Sequence, residues 1–318
     1  QKKTLWVIQL DGNLTPKIID KNIIILKKSN KKKFYFFYII KFFKEIKLNL
    51  RILNNLSSKS LYALIFFHKI NSEVDYSKIK NIILPYEGQP FQKHFIRKVK
   101  KKNTNIIGYI HAYPQPIPFN LFNYPQCSPN KIVVNSKSLK KTLIDYFKWK
   151  KKHIIIKDSS RFYKDTKIDM TKKIFLPYAI NESKRLLILF SNYLKVVNNN
   201  SLPLFEIQIH PEKINDKYHK KFKEKLIEII SNNKDKFIKN KKNKISLFFG
   251  YTSSIIEALE RGAKVVQICS VPILETYTSL FAYEIKCKKI NKFTYEYDLI
   301  KKNSLIKMNK VKYCNTSY

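Results

Sequence analysis

The sequence predicts an α/β protein, with two domains that each hold a parallel sheet and face each other across a cleft. Three observations carry this. Short β-type apolar runs alternate with helical patterns along most of the chain, the spacing of βαβ units. Residues 244–273, KISLFFGYTSSIIEALERGAKVVQICSVPI, read as one complete strand–turn–helix–strand unit. A polar, charged stretch at 163–173 breaks the alternation, dividing the 318 residues into 1–168 and 169–318, each of ordinary domain size.

In the first domain, residues 4–10 form a strand that runs into the turn signal Asp11-Gly12-Asn13. A short strand at 22–26 follows, then a helix at 34–50. That helix starts strongly apolar, but Lys41, Lys44 and Glu45 make it too short to span a membrane, so it is read as buried or interfacial. Residues 60–69 fit strand or helix equally. A strand at 80–84 ends in PYEGQP, and 91–101 is an amphipathic helix with Phe91, Phe95, Ile96 and Val99 on one face. The strand at 105–110 runs into His111 and a Pro-rich loop at 112–118. A strand at 131–134 ends at Asn135-Ser136, which caps a helix at 139–147, and 154–156 is short and apolar.

The second domain opens at 174–176, followed by a helix at 182–197. A strand at 204–209 ends directly in His210-Pro211-Glu212, and a lysine-rich helix occupies 217–233. Residues 234–243 read as a solvated basic loop. The strand at 245–249 is broken by Gly250, and hydroxyl residues precede a helix whose apolar positions are Ile255, Ile256, Leu259 and Ala263. Glu257, third after Ser254, completes a capping-box spacing. Gly262 ends the helix and 264–268 is a buried-type strand. Residues 293–304 and the tail to Tyr318 give no clear pattern, and no internal repeat stands out.

Lys and Arg outnumber Asp and Glu by 63 to 23, a net charge of +40. The lysines are spread along the chain, and the other abundant residues (Asn, Ile, Phe, Tyr) share A/T-rich codons. The bias therefore reads as genomic: a solvated basic surface first, attraction to an anionic membrane or acidic substrate second. No helix-turn-helix or RNA-recognition signature is present, and no specific nucleic-acid partner is expected. Cys127, Cys269, Cys287 and Cys314 form no CxxC pair and no His cluster, which argues against a zinc site or disulfide framework and fits a reducing cytoplasm. The first residues do not read as a signal peptide, and a chain opening on Gln1 is expected to lack its true start. The expected location is the cytoplasm, with peripheral contact at the inner face of the cell membrane. The five glycines, all at candidate turns or strand ends, are expected to meet backbone needs.

Three groups of residues carry candidate chemistry. Glu87 follows a strand beside Gly88, either as a general base or as a solvated turn acid. His111 ends the next strand as base, phosphate ligand or core histidine. His210 and Pro211, with Thr252, Ser253 and Ser254, place polar groups at strand ends and at a helix start, where free N–H groups favour phosphate.

The order α/β domain, linker, HPE, then TSSIIEALERGAKVV resembles the C-terminal half of GT-B glycosyltransferases. In particular it resembles bacterial surface-polysaccharide enzymes with an HP and an SS motif, including the sialyltransferase and capsule-transferase groups. The run PYEGQPF…IIGYIHAYPQPIPF…SPNKIVVNS is similar to surface-carbohydrate or O-antigen biosynthesis proteins, and the likeness spans roughly residues 80–275. The resemblance implies a GT-B fold of two Rossmann-like domains, an acceptor domain at 1–168 and a nucleotide-sugar domain at 169–318. It implies that His210, Pro211, Ser253 and Ser254 contact the nucleotide's phosphate and ribose, with Glu257 approaching the ribose. The expected partners are a nucleotide-sugar donor, serving as co-substrate rather than cofactor, and a glycan or lipid-linked glycan acceptor. No metal is expected, since no DxD motif stands in a suitable place. The related sialyltransferases carry two acids before a glycine. Here Tyr86-Glu87-Gly88 and Asp11-Gly12 carry one each. A GT-B-like epimerase or phosphotransferase, or a basic nucleic-acid-binding protein, are the alternative readings.

Overall fold

The computed structural model describes residues 6–9, 23–26, 75–76, 79–100, 104–159, 161–164, 168–180, 182–239 and 244–309. The turn at 11–13, the helix at 34–50, the run at 60–69 and the tail from 310 lie outside the described residues. The chain packs as two compact units. One takes Gln1–Ile82, Gly88–Asn105 and Gln126–Ser128; the other takes Ile83–Glu87, Ile106–Pro125 and Pro129–Tyr318.

The smaller unit holds a parallel pair, β1 (Trp6–Gln9) and β2 (Ile23–Leu26), with Trp6 opposite Ile23. It also holds helix α1 (Pro90–Lys100), where proline's fixed φ and missing N–H suit the first helical position. Gln92 accepts the Gln89 N–H at 3.1 Å, and Ile96 and Val99 are buried on the expected apolar face.

Among the described residues the larger unit carries a four-stranded sheet, a six-stranded sheet and a two-stranded one. The first has the order β3 (Asn81–Pro85), β4 (Asn105–Tyr109), β5 (Lys131–Val134), β6 (Ile154–Ile156), and β4, β5 and β6 run parallel. Helix α2 (Lys137–Asp145) connects β5 to β6. Its N-cap is Ser136, whose Oγ accepts the Leu139 N–H at 2.9 Å, as the sequence implies.

The second sheet has the order β13 (Ile285–Asn291), β14 (Thr294–Leu299), β12 (Lys264–Ile268), β11 (Ile245–Phe249), β7 (Lys173–Phe175), β9 (Glu206–Gln208). Strands β9, β7, β11 and β12 are parallel. Every residue of β11 is buried, as a central strand covered on both faces requires. Helices α3 (Ser183–Val196) and α4 (Lys217–Asn232) bring Leu186, Phe190, Leu194, Phe222 and Leu226 against Ile174, Leu247, Phe249, Val266 and Ile268.

Four expectations change. The second sheet is mixed: β13 and β14 form an antiparallel hairpin that pairs with β12. The strand expected at 204–209 is β9, preceded by a separate β8 (Leu202–Pro203). β8 pairs in parallel with β10 (Phe237–Ile238), so the supposed basic loop contains a strand, anchored because Phe237 is buried in the core. Gly108 lies within β4 rather than at a turn.

After β14 the chain returns to the first sheet. Lys307 donates its N–H to the Asn135 carbonyl, and Ser136 Oγ donates to the Ser304 carbonyl at 3.1 Å. Glu260 accepts the N–H groups of Asn303, Leu305 and Ile306. Among the described residues no helix is long and apolar enough to cross a membrane, and Cys127, Cys269 and Cys287 are free thiols.

Candidate functional site

Parallel strands deliver their carboxyl ends to one edge of a sheet, where loops collect polar groups. At the first sheet's edge, Glu87 stands two residues past β3 and His111 two residues past β4. Adjacent strands bring the two together, with Glu87 Oε1 3.7 Å from His111 Nε2. Their side chains are 54% and 41% exposed, so both are open to solvent. Gly108 lets Tyr86 and Pro129 pack directly against β4. A Cβ there would lie 2.8 Å from both Pro129 Cγ and Tyr86 Cβ, and Tyr86 itself is fully buried.

A tyrosine from the second sheet reaches this corner. Tyr251 leaves the turn after β11 and makes a long hydrogen bond, 3.4 Å, to the Tyr113 carbonyl. Burial pushes its pKa up to about 12; the Tyr277 hydroxyl lowers it somewhat and the nearby Glu87 charge raises it. It therefore stays a neutral donor at physiological pH. Tyr277 donates to the Pro114 carbonyl at 3.4 Å, and its N–H meets Tyr297 Oη. Tyr297 donates to Gln267 Oε1 at 2.7 Å, and Gln267 Nε2 donates to the Gly250 carbonyl at 2.7 Å. This buried network fixes the β11 turn.

At the second sheet's edge, Tyr178 follows β7, His210 follows β9 and Tyr251–Ser254 follow β11. His210 and the hydroxyl cluster are one strand apart, since β7 lies between β9 and β11. Among the described residues no hydrogen bond joins His210 to Thr252, Ser253 or Ser254. Instead His210 caps the short turn Pro211–Lys213, its Nδ1 accepting the Glu212 N–H at 3.3 Å. Pro211 sits first in that turn. The neutral ring therefore carries its proton on Nε2. Tyr178 meets His210 edge-on, 5.3 Å between centroids, and Lys213 Nζ lies 4.4 Å from the Tyr178 ring centroid.

The capping box does not form. Helix α5 (Ser254–Glu260) starts at Ser254, and its N-cap, Ser253, makes no side-chain cap bond. Thr252 Oγ1 takes the Ser254 N–H at 3.3 Å, while the Thr252 and Ser253 carbonyls take the N–H groups of Ile255 and Ile256. Those N–H groups, expected to face a phosphate, are satisfied inside the turn. Glu257 turns the other way, to Arg261 Nε at 3.0 Å and Nη2 at 2.9 Å, and Arg261 also donates to the Tyr163 carbonyl. A guanidinium one turn along offers charge-assisted bonds stronger than a backbone N–H can. The hydroxyls of Ser253 and Ser254 take no part in the turn's bonding. The helix ends as the sequence implies: Gly262 has φ +84°, with Ala263 N–H to the Ala258 carbonyl and Gly262 N–H to the Leu259 carbonyl.

No protein-family model matches the chain, and no curated protein matches it. Among the described residues no three His, Cys, Asp or Glu side chains cluster as metal ligands.

Four residues at these edges escaped the sequence reading: Tyr178, Lys213, Tyr251 and His219. His219 is buried between Asp216 Oδ2 (2.6 Å from Nδ1) and the Pro177 carbonyl (2.9 Å from Nε2). The His219 hydrogen bond, first among several causes, holds the Asp216 carboxyl below its ordinary range. One signal was there to be read. Leu-Pro-Tyr occurs at 84–86 and again at 176–178, each time at the end of a strand.

Proposed function

We propose that this protein is a GT-B-type glycosyltransferase of surface-polysaccharide synthesis, built of two Rossmann-like domains, 1–168 and 169–318, across a cleft. The observation that carries the reading is the Glu87–His111 pair, 3.7 Å apart at adjacent strand ends, with Tyr251 of the other sheet at the same corner. In this reading a glycan or lipid-linked glycan gives up its hydroxyl proton to the pair. When His111 takes the proton, the Glu87 carboxylate beside it stabilises the imidazolium; when Glu87 takes it, His111 orients the carboxyl. The nucleotide sugar lies along the second sheet, its phosphate near His210, Pro211 and the hydroxyls of Thr252, Ser253 and Ser254. Donors fixed there stabilise charge on the leaving nucleotide more in the transition state than in the ground state. Glu257, held by Arg261, borders the donor. The basic surface, +40 overall, suits an acceptor held at an anionic membrane on the cytoplasmic side.

Labelled nucleotide sugars, incubated with the protein and a cell-envelope glycan extract, test this. Transfer moves the label to glycan and releases nucleotide. Glu87→Gln and His111→Ala should each lower the rate by about 10²–10⁴-fold with little change in donor affinity. Label kept on an isomerised nucleotide sugar would make the protein an epimerase. Steeply salt-dependent DNA or RNA binding with no turnover would make its charge the function.

A further inference from the structure

We propose that Tyr178 is the platform on which the donor's nucleoside lies, with Lys213 supplying charge to its phosphate. This rests on the transferase reading and names residues that reading does not use. Tyr178 stands at the carboxyl edge of a parallel sheet yet is 52% exposed. It is not loose. Lys213 Nζ lies 4.4 Å from its ring centroid, and His210 meets it edge-on at 87°. The preceding residue, Pro177, is buried, and its carbonyl is gripped by His219 Nε2 at 2.9 Å. His219 is in turn gripped by Asp216, the N-cap of α4. A large aromatic surface is thus held in place and left in solvent, so little side-chain freedom remains to be lost on binding.

The chemistry of the cluster selects the ligand. A flat ring recognises a nucleobase by stacking, whatever the base. An ammonium and an imidazole N–H beside it recognise an anion. A sugar alone would leave the two polar groups unused, and a simple phosphate would leave the ring unused. A nucleoside phosphate uses all three. Tyr178 and His210 come from neighbouring strands, β7 and β9, so the platform spans the edge rather than one loop.

Calorimetric titration of CMP, UDP and GDP into the full chain tests the proposal, with cytidine, uridine, guanosine and pyrophosphate as fragments. Tyr178→Ala should weaken the best nucleotide and its nucleoside by about tenfold, and Tyr178→Phe should restore both. Lys213→Met should weaken the nucleotide and pyrophosphate but leave the nucleoside unchanged. Circular dichroism of the variants should match that of the parent. Nucleotide binding that is tight in the parent and equal in Tyr178→Ala would overturn the platform and leave the transferase intact. Pyrophosphate binding as tightly as the nucleotide, unmoved by Tyr178→Ala, would reduce the cluster to an anion site. A parent chain that binds no nucleotide would overturn both readings together.

Discussion

Leu-Pro-Tyr ends a strand in each sheet, and the two tyrosines meet opposite fates. Tyr86, after β3, is fully buried; Tyr178, after β7, stands half in solvent. The tripeptide is the same and each tyrosine follows a strand, so the neighbours make the difference. Tyr86 packs over Gly108, whose missing Cβ leaves room for it, and against this edge Glu87 and His111 come together. Tyr178 is approached by an imidazole and by an ammonium over its ring, which hold it and leave it half exposed. A strand-end tyrosine can therefore serve as a wall behind the Glu87–His111 pair or, as proposed for Tyr178, as a surface for a ligand. The first role is held by packing, the second by polar contacts, and the two should break differently.

The largest effect separates them by stability. Tyr86→Ala should cost about 3–5 kcal/mol, the range for truncating a buried aromatic. Tyr178→Ala should change stability by less than about 0.5 kcal/mol, as surface changes do. Denaturant unfolding measures both, and equal losses would end the contrast.

A second, smaller effect probes the space itself. Gly108→Ala places a methyl 2.8 Å from a proline ring carbon and from Tyr86 Cβ, neither the free end of a flexible side chain. Overpacking of this kind costs about 1–3 kcal/mol, and here it should also push Glu87 away from His111. Activity should then fall in molecules that remain folded. A folded Gly108→Ala variant with full activity would mean that the Glu87–His111 spacing does not matter.

What could be read in advance follows the range of the forces involved. The unit at 245–268 was legible because a buried strand, a helix stripe and a glycine stop are all local patterns, and the φ of Gly262 and the bonds after it bear that out. Ser136 was legible as a cap for the same reason. Glu257 was misread because spacing alone offers it two partners, the N-cap amide behind and Arg261 ahead, and charge decides between them. The β13–β14 hairpin went unread because lysines dilute the alternation of β13, and the pairing of β14 with β12 is a tertiary fact. Tyr178 was passed over because a lone exposed tyrosine acquires meaning only when β9 lies alongside and brings His210 and Lys213 to it.

The smallest effect asks whether the polar support of Tyr178 titrates. Asp216 caps α4 and grips His219, which holds the Pro177 carbonyl, and Lys213 lies near enough to favour its charge. Its carboxyl is held below the ordinary range, so the folded state favours the ionised form. The resulting stability is present in full above about pH 4 and is lost as pH falls through the folded value. Asp216→Asn keeps a capping oxygen and removes the charge. Its thermal midpoint should lie below the parent's at pH 7, and the gap should close on acidification. The Gly108→Ala gap should hold over the same range, because steric crowding binds no proton. If the Asp216→Asn gap instead survives to acid pH, the charge is irrelevant, and the second Leu-Pro-Tyr is held by shape just as the first is.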